Sequence, residues 1–156
     1  MTRRTMRWIV GLGAGSVVAV GTFLWLHSVG NDTGLDDFRR NQPSLTAAEA
    51  GDRDPNEVAA MLVDRWLSRF TTGEFGRATR LHAFRIERVE TLPAGPDTHV
   101  VSARVSLRPT RASLDNWLAG SGGTVEEGWI HGKFLRFALS HGDGQYRLRE
   151  VGPSPL

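Results

Sequence analysis

Cysteine is absent from this chain of 156 residues. Its absence excludes a disulfide framework and thiolate metal sites, so a folded domain must be stabilised by its own apolar core. Lysine is nearly absent too, because Lys133 is the sole example and the other basic side chains are arginines. The formal net charge is only +2 at pH 7. That near balance argues against a nucleic-acid-binding protein, which normally carries a concentrated basic face.

Common catalytic and cofactor motifs are also missing. The sequence has no Gly-x-Ser-x-Gly elbow, no P-loop, no dinucleotide fingerprint and no HExxH. No two histidines stand two residues apart on a strand or four apart on a helix, as common metal sites require. The five histidines are His27, His82, His99, His131 and His141. We therefore expect no metal, no cofactor and no enzymatic activity.

Charge is missing from the nineteen residues Trp8–Leu26. As a helix this run would span roughly 28 Å, close to the hydrocarbon thickness of a bilayer. It predicts a membrane-spanning helix, because lipid offers backbone amides no partners outside the helix itself. A cleaved secretory signal is the alternative interpretation, with Ser28-Val29-Gly30 as the cleavage site.

The flanks of this run predict its orientation. Trp8 and Trp25 stand near its two ends, where indole rings favour the headgroup level. The residues that precede it are basic: Arg3, Arg4 and Arg7. This asymmetry predicts a cytoplasmic N-terminus and an extracytoplasmic remainder, hence a single-pass protein of the cell membrane. The arginine pair also resembles a twin-arginine export signal, although Arg7 stands where that signal has an apolar residue.

Small residues recur every four positions along the run, at Gly11, Gly15 and Ala19. Such a ridge lets two membrane helices approach closely, so a homodimer through the anchor is one hypothesis. The alternative is that glycine is simply frequent in membrane helices.

Four segments follow from these patterns: a cytoplasmic tail (1–7), an anchor (8–27), a flexible tether (28–53) and a folded domain (54–156). Turn-forming residues interrupt the tether, and its short helical stretches are too brief to persist alone. The domain opens with a marked helix, since Asp54 suits the N-cap, Pro55 the first turn and Gly73 the C-terminal end. Between these ends the apolar residues recur at helical spacing.

Beyond residue 80 the apolar period becomes alternating, which predicts strands. We expect an antiparallel hairpin in which Ile86 pairs with Val105, because that register keeps both apolar sets on one face. It would place Glu87 opposite Arg104.

The rest of the chain predicts a short helix over Ser113–Ala119 and a long strand over Val125–Ser140, bulged near Gly132. A tight turn then leads to a final strand over Gln145–Val151. The predicted class is α+β: an N-terminal transmembrane helix, then one long helix packed on a curved antiparallel sheet. A ferredoxin-like arrangement is the alternative.

Three features of residues 55–153 resemble those of a known superfamily: the order of the elements, the long strand that begins near Trp129, and the closing stretch Tyr146–Pro153. In these the chain resembles the cystatin-like or NTF2-like superfamily, which implies a helix in the concave face of a bent sheet. A short tail, one anchor and such a domain outside also resemble VirB8-like components of bacterial secretion and conjugation machines. Those proteins have a fuller set of helices than this chain.

A ligand pocket would need an aromatic wall and polar side chains. Trp129 follows Gly128 on a strand and suits either a pocket wall between sheet and helix or the packed core. His131 is the candidate polar residue beside it, with Asp64 and Glu90 as the carboxylates it could meet. The resemblance implies a pocket in this position.

Arg85, Arg104 and Arg108, with Glu87, line the expected outer face of the strands. Such a face is normally solvated, but it also suits an acidic docking partner. The leading hypothesis is therefore a membrane-anchored envelope protein whose outer domain binds another protein, as a scaffold or assembly component. We expect no nucleic-acid partner. A small ligand-binding or enzymatic domain and a secreted, cleaved protein are the alternatives.

Overall fold

The computed structural model describes residues 35–120 and 122–152. The α-helices and strands in this part of the chain are, in order, α1 (Leu35–Arg40), β1 (Ser44–Thr46), α2 (Ala47–Ala50), α3 (Pro55–Thr72), β2 (Leu81–Gly95), β3 (Thr98–Pro109), α4 (Leu114–Leu118), β4 (Thr124–Glu126), β5 (Trp129–Gly142) and β6 (Gln145–Glu150). A 3₁₀-helix, Arg77–Thr79, lies between α3 and β2. The predicted tail, anchor and small-residue ridge, within residues 1–27, lie outside the described residues. Of the helices that are described, none has the length and apolar character needed to cross a membrane.

The strands form one curved antiparallel sheet in the order β1-β6-β5-β3-β2. The short strand β4 is not part of this order and pairs with the beginning of β5. Alternate residues of the central strands are buried with one face of α3, among them Val105, Leu107 and Phe137. The α+β class and the curved antiparallel sheet are confirmed. The opposite face of the sheet, called the outer face below, carries the residues that alternate with these.

Helix α3 begins and ends where its sequence predicts. An Asp54 carboxylate oxygen accepts hydrogen bonds from the backbone N–H groups of Asn56 and Glu57, at 2.8 and 3.0 Å. At the other end Gly73 adopts the left-handed conformation, with φ of 78°, which glycine reaches without a Cβ clash. The buried stripe between them includes Leu62, Val63, Trp66 and Phe70.

The β2–β3 register agrees with the prediction up to Ile86. Ile86 pairs with Val105 as expected, but the next pair is Arg88 with Arg104. Glu87 is the extra residue of a β-bulge, so its predicted position opposite Arg104 is wrong. The two side chains nevertheless meet, because Arg104 Nε lies 3.2 Å from a Glu87 carboxylate oxygen.

The expected tether over residues 28–53 differs from the structure in its second half. Strand β1 pairs with β6, and Leu45 is fully buried. Phe38 of α1 packs edge-on against Trp117, with ring centroids 4.8 Å apart. Elements this short gain their stability from tertiary packing, which local sequence patterns do not reveal. The folded domain therefore includes residues 35–53 and does not start at residue 54.

The expected single strand over Val125–Ser140 is two strands. Glu127 and Gly128 both have positive φ, at 49° and 80°, and they form the two-residue turn between β4 and β5. Positive φ at both central residues is typical of the tight turns that join hairpins. The predicted bulge is confirmed, since the β3–β5 register shifts there and Gly132 has a φ of 65°.

Candidate functional site

A pocket of about 140 Å³ opens where α1, α3 and α4 meet the inner face of β5. Its walls are mainly apolar and include Phe38, Trp66, Trp117 and Leu135. Three ionisable residues also line it: Lys133, Arg136 and Glu150. An apolar pocket with a few converging polar groups is the usual form of a small-molecule site.

The aromatic wall is built by residues from separate elements. The Trp66 and Trp117 rings meet edge to face with centroids 6.1 Å apart, and Phe38 contacts both. Trp117 Nε1 donates a hydrogen bond to the carbonyl oxygen of Thr79 at 2.9 Å. Trp66 Nε1 is buried and has no hydrogen-bond partner in the part of the chain that the structure describes. The pocket thus borders on a residue with an unused donor.

Lys133 is the only lysine of the chain and points inward. The bulge at Gly132 adds one residue to β5, so Lys133 lies opposite Val105 on the inner face. The lysine is 4% exposed, and its Nζ donates to the carbonyl oxygen of Ala119 at 3.1 Å. Burial alone lowers the pKa of Lys133, because the charged ammonium loses water.

Glu150 also lines this pocket, and it pairs with Phe137 across β5 and β6. Burial raises the pKa of Glu150, while a hydrogen bond from the Gly152 backbone and the charge of Arg39 oppose the shift. No ion pair joins Lys133 to Glu150 among the described residues. Within the described part of the chain, the buried Lys133 therefore has no counterion in contact.

The outer face carries a second polar cluster, drawn from β2, β3 and β5. Ser106 donates to a Glu87 carboxylate oxygen at 2.6 Å, and His131 Nδ1 lies 3.1 Å from the same hydroxyl oxygen. A serine hydroxyl has one proton, and Ser106 donates it in the hydrogen bond to Glu87. The His131 ring must therefore donate from Nδ1 to the Ser106 oxygen. Nucleophile activation needs the opposite arrangement, with the imidazole accepting the serine proton. This cluster fits a structural hydrogen-bond network better than a catalytic pair.

The four residues expected to line a pocket, Trp129, His131, Asp64 and Glu90, do not line one together. Trp129 and His131 lie on the outer face, stacked with ring centroids 6.2 Å apart. Asp64 is exposed on α3, and Glu90 forms an ion pair with Arg88. His131 meets Glu87 through Ser106 rather than meeting Asp64 or Glu90. A second pocket, beside Arg80 and Thr110, contains none of the four.

The outer face is strongly basic. Its strands carry seven exposed arginines and only three glutamates. The arginines are Arg85, Arg88, Arg104, Arg108, Arg136, Arg147 and Arg149, and the glutamates are Glu87, Glu90 and Glu126. Two of the arginines stack on aromatic rings, Arg85 over Trp129 at 4.9 Å and Arg104 over Phe134 at 5.9 Å. Such stacking holds a guanidinium in place while its N–H groups remain able to donate.

Lys133, Glu150 and Ser106 were missed by sequence reasoning. One signal for Lys133 was present, because the apolar phase of β5 shifts at Gly132 and a shift of one residue turns the lysine inward. Within residues 35–120 and 122–152, no three His, Asp or Glu side chains are placed to hold a metal ion together. Comparison with protein-family models, curated proteins and solved structures found no match to this chain.

Proposed function

We propose that this chain is a single-pass, membrane-anchored envelope protein whose extracytoplasmic domain docks an acidic protein partner on its outer face. The domain acts as an interaction or scaffold module, of the kind that secretion and conjugation assemblies use. The observation that carries the proposal is the excess of seven exposed arginines over three glutamates on one sheet face.

Charge pairing within the face leaves most of its arginines available. Arg88 pairs with Glu90 and Arg104 with Glu87. Of the remaining five arginines, none has an ion pair within the described part of the chain. A guanidinium pairs with a carboxylate through two parallel hydrogen bonds, so an array of arginines favours an acidic protein surface.

The anchor supports a scaffold role. Confining a domain to the membrane raises its effective concentration toward any partner in the same membrane, without a new contact. Complementary charge also increases the rate of encounter and selects against basic partners. An interaction module needs no cofactor and no perturbed catalytic group on its docking face.

Photo-crosslinking in native membranes tests this function. A photoreactive residue is placed at Ser140, which pairs with Arg147 on the outer face. We expect it to capture a protein, and we expect the double change Arg147→Glu and Arg149→Glu to remove the product. The matched control, Arg77→Glu with Arg111→Glu, makes the same change in charge at exposed positions outside the strands and should leave the product unchanged.

Two outcomes would contradict the proposal. One is a crosslinked product that consists of lipid or nucleic acid instead of protein. The other is a protein product that survives the reversal on β6 as well as it survives the control reversal.

A further inference from the structure

The pocket between α3, α4 and β5 has the size of a single ring. Its volume of about 140 Å³ is close to that of an engineered apolar protein cavity that admits benzene. Aromatic side chains form much of its wall, among them Phe38, Trp66 and Trp117. The volume and wall suit a flat six-membered ring or a short branched alkyl group.

Two residues of the pocket lining, Lys133 and Trp66, carry buried donors with unused hydrogen-bonding capacity among the described residues. An ammonium carries three N–H donors, and the one hydrogen bond that the structure gives Lys133 goes to the Ala119 carbonyl. The indole N–H of Trp66 has no partner among the described residues. Because unused buried donors are costly, a ligand that brings acceptor oxygens would stabilise the site.

The charges at the pocket favour an anion. Among the described residues, no carboxylate forms an ion pair with the buried Lys133. Glu150 is the one acidic residue among the described residues of the lining. Burial raises the pKa of Glu150, which weakens its opposition to a second carboxylate. A charge-assisted hydrogen bond to Lys133 is stronger than a neutral one, so a carboxylate is the best acceptor.

We propose that this pocket binds a small apolar monocarboxylate. The ring or alkyl part lies against the aromatic wall, and the carboxylate accepts from Lys133. The site is separate from the outer face, so it stands or fails independently of the docking function.

Three probes that share one ring separate charge from shape: benzoate, benzyl alcohol and benzylamine. Each is titrated into the full chain in mild detergent, and the indole N–H resonances are followed by NMR. The Trp66 resonance is assigned by its loss in Trp66→Phe. We expect benzoate to shift it and to bind at least about tenfold more tightly than benzylamine.

Variants distinguish the ammonium from the rest of the pocket. Lys133→Met shortens the side chain by one heavy atom and removes its charge. Binding of benzoate should therefore weaken about tenfold, while binding of benzyl alcohol is nearly unaffected. Arg149→Met is the matched control, because it removes one charge from the outer face of β6. Leu135→Phe fills the pocket and should abolish binding of all three probes.

The proposal is overturned if no probe shifts the Trp66 resonance, or if benzylamine binds as tightly as benzoate. It is also overturned if Lys133→Met leaves benzoate binding unchanged while its indole spectrum remains that of a folded domain. A misfolded Lys133→Met does not block the test, because the benzoate-to-benzylamine ratio is measured on the unchanged chain.

Discussion

Deletion of Gly132 should be far less damaging than deletion of Arg136, although both shorten β5 by one residue. Gly132 is the extra residue of the bulge, since Val105 pairs with Lys133 while Leu107 pairs with Ile130. Its removal restores regular alternation and keeps Lys133 on the inner face. We expect a cost of about 1 kcal/mol, the centre of the distribution for single changes.

Arg136 lies in the regular part of the strand, between buried Leu135 and Phe137. Its deletion turns one half of β5 over, which exposes two large buried side chains, for example Phe137 and Leu139. At about 1.5–3 kcal/mol for each side chain, the loss is about 3–6 kcal/mol. That is a large fraction of the ~5–15 kcal/mol that stabilises a typical domain.

Urea denaturation of the full chain in mild detergent, followed by tryptophan fluorescence, measures both free energies of unfolding. The expected order is the unchanged chain, then the Gly132 deletion, then the Arg136 deletion with a much lower midpoint. Equal damage from the two deletions would refute the assignment of Gly132 as the bulged residue and, with it, the inward placement of Lys133.

Three further outcomes are expected. Leu45→Ala should cost about 2–5 kcal/mol of unfolding free energy, because Leu45 is 1% exposed. The control Leu92→Ala, at a 67% exposed position, should change the unfolding free energy by no more than about 0.5 kcal/mol. Equally small effects of the two changes would mean that residues 35–53 are a tether after all. The folded-state pKa of Lys133 lies below the unfolded value near 10.5, so at a pH between these two pKa values the unfolded chain binds more protons than the folded chain. Stability should therefore rise with pH up to the unfolded pKa, and Lys133→Met should remove this rise in alkaline urea titrations. A reporter fused after Leu156 should be active only outside the cytoplasm, and cytoplasmic activity would reverse the proposed orientation.

Strong local signals made the central elements predictable from sequence. Helix α3 has a capping aspartate, Asp54, a long apolar stripe and a terminating glycine, Gly73, all within eighteen helical residues and their caps. The strands after it carry a period of two, and Ile86 pairs with Val105 because only that pairing keeps both apolar sets inward. These features depend on neighbours in the chain, which is where sequence patterns are informative.

The elements that were missed depend on contacts between distant residues. Helix α1 has six residues, and Phe38 is buried only because Trp66 and Trp117 reach it from α3 and α4. The turn at Glu127 was missed because a glutamate with positive φ is uncommon and leaves no signal in the apolar pattern.

The candidate sites were missed for the same reason. Ser106 and His131 meet Glu87 only once three strands are in register and Glu87 is bulged. Lys133 reverses the usual expectation that a charged residue on a strand faces water. Burial of such a residue shows itself only in three dimensions.

A charge-swap experiment tests the docking proposal most directly. The protein captured at Ser140 is purified, and its affinity for the full chain is measured with Arg147→Glu and Arg149→Glu, with and without exchange of the partner's facing carboxylates for lysines. Acidic docking predicts that the arginine reversal weakens binding at least about tenfold and that the exchange in the partner restores it. Binding that is indifferent to the reversal, or that the exchange does not restore, would contradict the outer face as the docking surface.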